Sequence, residues 1–69
     1  MIKIELLTYG VICEGKRLAN FEDLDHAKYF AKGMAINKEK GVIIIDNFTG
    51  ELCSEFVVKH SIEIVEVEP

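Results

Sequence analysis

"GVIIIDNFTGEL", residues 41–52, is the stretch that decides how this chain folds. The apolar residues Val42 to Ile45 run without a break into Asp46-Asn47-Phe48-Thr49-Gly50. A β-branched run followed by a polar stretch ending in glycine reads as a strand entering a hairpin turn. Gly50 can take the positive φ that a short hairpin loop needs. Side chains alternate along a strand, so Val42 and Ile44 serve one face while Ile43 and Ile45 serve the other. This strand is apolar on both faces. A single antiparallel sheet with one helix on it should be apolar inside and polar outside.

On the C-terminal side of the turn, residues 51–59 read as a further strand, with Phe56 and Val58 opposing Cys53 and Val57. His60-Ser61 makes a brief break, and residues 62–68 form a fifth strand or an extended tail. On the N-terminal side the pattern is helical. Asp23 is a good N-cap, and Leu24, Ala27, Ala31, Met34 and Ala35 form one apolar face with Phe30 at its edge. Gly33 predicts close packing or early fraying, and Lys38, Lys40 and Gly41 carry end signals. Residues 2–13 alternate as a first strand, in which Gly10 suggests a bulge or twist. The turn Glu14-Gly15-Lys16 returns the chain as a second strand over residues 17–21.

The expected fold is therefore α+β, a single domain over residues 1–69. It has one antiparallel-rich sheet of four to five strands in ββαβββ order, with one helix packed on one face. A chain this short buries only about 60% of the surface its unfolded form exposes. Small domains compensate with disulfides, a metal or oligomerisation. The second apolar face thus calls for the C-terminal segment, a second copy or another protein. A symmetric homodimer is the favoured cover, with Ile43 and Ile45 at its interface.

Charge narrows the function classes. The net charge is −4, and residues 38–69 hold three basic against seven acidic side chains. That balance disfavours nucleic-acid binding, which rests on clustered Lys and Arg. Glu63, Glu66 and Glu68 repeat along one segment and form a candidate partner-binding surface, joined by Tyr29 and Ile36 on the helix. The alternative from another class is a small nucleic-acid-binding domain using Lys28, Lys32, Lys38 and Lys40.

No motif carries catalysis. Cys13, His26, Cys53 and His60 match a zinc site in number but not in spacing, so neither metal nor cofactor is expected. Asp46 with Glu51, and Asp25 with His26, read as a turn acid and a helix cap more simply than as acid–base pairs. An enzyme is not expected. The residues 1–7, MIKIELL, lack the apolar run of a signal peptide, and no stretch reaches the ~18 apolar residues of a membrane helix. A cytoplasmic protein with reduced thiols is the expectation.

The segments "ANFEDLDHAKYFAK", residues 19–32, and "GVIIIDNFTGEL" contain an F-x-x-L-x-x-A-x-x-x-A helix start and a D-x-x-T-G-E turn. In this order they resemble small uncharacterised proteins encoded by phages and bacterial mobile elements. Phe21, Leu24, Ala27 and Ala31 would serve packing, and Asp46, Thr49, Gly50 and Glu51 the turn. The resemblance implies an accessory protein that acts by binding a host protein, acidic inhibitors of host nucleic-acid machinery included.

Overall fold

Ile44 is wholly buried while its neighbours Ile43 and Ile45 are only half-buried, as strand alternation requires. They lie on β3 (Val42–Asp46), the middle strand of a five-stranded antiparallel sheet. The computed structural model describes residues 7–60 and 63–69. The other elements are β1 (Tyr9–Cys13), β2 (Lys16–Phe21), α1 (Leu24–Lys38), β4 (Leu52–Lys59) and β5 (Glu63–Val67). The sheet order is β2-β1-β3-β4-β5, with α1 on one face. This is the expected ββαβββ arrangement. The first strand begins only at Tyr9 among the described residues, and the expected strand positions 2–6 and 62 lie outside them.

The helix starts where its cap is. Asp23 is extended, and its Oδ1 accepts from the Asp25 amide at 2.8 Å, satisfying a donor of the first turn. Ala27, Ala31 and Ala35 are fully buried, so α1 can lie close over β3 and β4. Their partners beneath are Val11, Val42, Ile44 and Phe56. Burying each of the larger side chains is worth about 1.5–3 kcal/mol.

Lys38 lies in the last turn as expected, and Glu39 rather than a glycine caps the helix in the left-handed conformation at φ 54. Two local expectations are corrected. Gly33 is neither tightly packed nor a fraying point, because a Cβ there would meet nothing within 4 Å and the helix runs on to Lys38. Gly10 pairs regularly with Asn20 and Ile45, and the bulge falls between Val11 and Ile12, where Leu18 of β2 is the extra residue.

A second bulge, between Ile44 and Ile45, pairs Ser54 with Ile44 and Leu52 with Ile45. Cys53 is the extra residue there and packs against the helix-side core, not on the far face with Val57. The hairpin between β3 and β4 follows its turn chemistry. The Asp46 carboxylate accepts from the Phe48 and Thr49 amides, the Gly50 amide donates to Asp46 O at 2.7 Å, and Gly50 has φ 78.

Candidate functional site

The face of the sheet away from α1 keeps its apolar residues. Ile12 pairs with Ile43, and Ile43 with Glu55; Val57 pairs with Val65, and Glu55 with Val67. Ile12, Ile43, Ile45, Val57 and Val65 are half-buried and stand apart from the helix-side core. Leu52 and Val67 at the margin are 39% and 44% exposed. β5 pairs edge-on with β4 and does not fold across this face. The C-terminal segment therefore enlarges the apolar face with Val65 and Val67 instead of covering it. Among the described residues no element lies over it.

A polar clasp borders these residues at the β1–β2 side. Asn47 leaves the end of β3, and its Nδ2 donates to Leu7 O at 2.7 Å and to Asn20 Oδ1 at 2.9 Å. Its Oδ1 accepts from the Arg17 guanidinium at 3.0 Å, and its amide donates to Thr8 O at 2.8 Å. The clasp lies flat on Gly10. A Cβ at Gly10 would come within 2.5 Å of Asn47 Oδ1 and 3.2 Å of Arg17 Nε. Glycine is thus required there by close approach and not by backbone conformation. No local pattern points to this cluster, since Asn47 lies 30 and 27 residues beyond Arg17 and Asn20 of β2 and each is ordinary near a turn.

The acidic candidates divide between the two faces. Glu63 pairs with Lys59 on the open face. Glu66 lies on the helix side, where the wholly buried Ser54 donates its hydroxyl to Glu66 Oε2 at 2.8 Å. Lys28 Nζ reaches Glu66 at 2.9 Å and Glu68 at 3.0 Å. The Lys28 ammonium, with Glu68 and Ser54 adding, holds the Glu66 carboxyl down from its ordinary 4.5 to about 2. The same two carboxylates raise the Lys28 ammonium well above its ordinary value. Two of the three glutamates are therefore matched within the chain, and so is one of the four lysines considered for nucleic acid. Lys32, Lys38 and Lys40 are exposed on and after the helix.

Tyr29 and Ile36 are both exposed, Tyr29 at 86%. Tyr29 lines an open groove of about 510 Å3 with Phe21, Phe30 and Met34 beside α1, whereas Ile36 is not part of it. Cys13 and Cys53 are unbridged, on strands separated by β3. Burial, with Asp46, Glu51 and Glu68 nearby, pushes the Cys53 thiol up and makes it a poorer nucleophile. Among the described residues no three His, Cys, Asp or Glu side chains come together as metal ligands, and no helix is long and apolar enough to cross a membrane. Comparison of the chain with protein-family models, with curated proteins and with solved structures finds no match.

Proposed function

We propose that this chain is a non-enzymatic protein-interaction module that works through the open face of its sheet, and that it pairs there with a second copy of itself. The observation that carries this reading is the set of apolar residues Ile12, Ile43, Ile45, Val57, Val65 and Val67 on one sheet face, broken by Glu55 between Ile43 and Val67, on a domain of 69 residues. Such a patch on a small soluble chain marks an interaction site. Burial of one of these side chains contributes about 1.5–3 kcal/mol, and a twofold axis uses each residue twice. That is a large share for a domain with so small a margin.

The apolar face is preferred to the acidic strand because Glu66 and Glu68 already hold Lys28. For the same reason the basic helix is a weaker candidate for nucleic acid. Reduced thiols at Cys13 and Cys53 suit a cytoplasmic setting. An accessory role of the kind found in phages and mobile elements is compatible with a binding module, and a host protein would then meet the dimer on its helix side.

Sedimentation equilibrium of the wild type and of Ile43→Lys tests the reading. The wild type should reach twice the chain mass at ~100 μM, a range in which weak interfaces still associate, and Ile43→Lys should remain monomeric. A wild type that stays a compact monomer there overturns it.

A further inference from the structure

The open face is electrically lopsided, and that lopsidedness specifies how a second copy sits on it. Across the sheet one row reads Arg17, Ile12, Ile43, Glu55, Val67, from β2 to β5. A cation stands at one side of the apolar centre and a carboxylate at the other. The cation is drawn over β1. Arg17 starts on the edge strand β2, but its side chain lies across Gly10 of β1, held by its bond to Asn47 Oδ1. Asn47 is in turn anchored to Leu7 O and Asn20. On the far side Glu55 is half-buried on β4, while Glu63 of β5 stands opposite Lys59 and their charges balance, so Glu55 carries the excess.

We propose that two copies stack open face to open face with β3 over β3, and that Arg17 of each pairs with Glu55 of the second copy. This rests on the proposed function above and deepens it. A twofold axis along the strands places the β1–β2 side of one sheet over the β4–β5 side of the other. The Arg17 guanidinium, lying over β1, then faces β4, which carries Glu55. The two rows concerned are two residues apart along the strand, ~7 Å, a span that an arginine and a glutamate side chain bridge together. An axis across the strands would instead set Arg17 on Arg17 and Glu55 on Glu55. Like charges placed together at a closing interface are strongly disfavoured, so the charge pattern selects the first arrangement. The apolar residues supply attraction, Arg17 and Glu55 supply register, and Asn47 is the positioning residue that aims the cation.

Charge exchange is the test, read as the dimer dissociation constant by sedimentation equilibrium. Arg17→Glu and Glu55→Arg should each weaken the dimer about tenfold or more, since each puts like charges at two symmetric places. The double variant should return to within about threefold of the wild type. A double variant as weak as the singles combined overturns the proposed register. Arg17→Glu also removes the bond to Asn47 and could unfold the chain. Glu55→Arg, which breaks no hydrogen bond among the described residues, then decides alone. It should weaken association, and more so as salt is lowered; an unchanged constant overturns the proposal. Ile43→Lys separates the two levels. If it dissociates the dimer while the charge variants do nothing, the register falls and the interaction face stands. If it leaves association unchanged, the face itself is wrong.

Discussion

The tripeptide Ile43-Ile44-Ile45 holds the same residue three times in two different environments. Ile44 lies under α1 with no exposure, against Val11, Val42 and the helix alanines. Ile43 and Ile45 face the other way, half-buried, among the described residues, by strand neighbours. The covered face is completed by the chain's own helix, with small alanines permitting close approach. The open face also carries apolar residues but, among the described residues, no helix lies over it. Apolar composition therefore does not distinguish a core from an interface; what distinguishes them is whether the same chain supplies the cover.

The largest expected effect lies on the covered face. Ile44→Ala should cost about 2–5 kcal/mol by denaturant unfolding, through lost burial and the cavity left behind. That cost should not depend on protein concentration, since the cavity is internal to one chain. Ile45→Lys should behave in the opposite manner. It should lower the melting temperature at high protein concentration and leave it little changed at low concentration, where only single chains remain. If both substitutions showed the same concentration dependence, the two faces would not differ in kind.

Gly10→Ala comes next in size. The added Cβ would meet Asn47 Oδ1 at 2.5 Å, and Asn47 cannot easily move because three side-chain hydrogen bonds hold it. Overpacking of this kind costs about 1–3 kcal/mol. Unfolding of Gly10→Ala with the stability of the wild type would show that the clasp is loose and that Arg17 is not drawn over β1.

The smallest effect concerns Glu66. Its folded carboxyl is depressed to about 2 from 4.5, so its contribution is present above 4.5 and is lost as pH falls through about 2. Glu66→Gln should therefore be slightly less stable than the wild type at neutral pH, with the gap closing between pH 4.5 and about 2. The pair is partly exposed to solvent, which keeps the gap small. A gap that persists unchanged in acid would assign it to the lost Ser54 contact instead.

Element order, helix cap, hairpin turn and the two-faced central strand were legible in the sequence because each rests on local periodicity or on one residue's chemistry. Asp23 caps its own helix and Gly50 turns its own hairpin wherever the rest of the chain goes. The place of the last strand was not legible. Alternation in Glu63-Ile64-Val65-Glu66-Val67 suits an edge strand and a covering strand equally, and only pairing with β4 decides. The bulges at Leu18 and Cys53 were hidden for a related reason. Cys53 and Val57 share parity, and one extra residue in β4 sends Cys53 to the helix side. The Arg17–Asn47–Asn20 clasp was invisible because it joins β2 to the end of β3, 27 to 30 residues away, over a glycine where a Cβ would come within 2.5 Å of Asn47 Oδ1.

The most direct measurement of the difference between the faces follows side-chain methyl resonances of the wild type by NMR through a dilution series. The δ1 methyls of Ile12, Ile43 and Ile45 and the γ methyls of Val57 and Val65 should shift together with a single dissociation constant, while the methyls of Ile44, Val11 and Val42 should stay in place. If no methyl moves, or if Ile44 moves as far as Ile43, the open face is not where two copies of this chain meet.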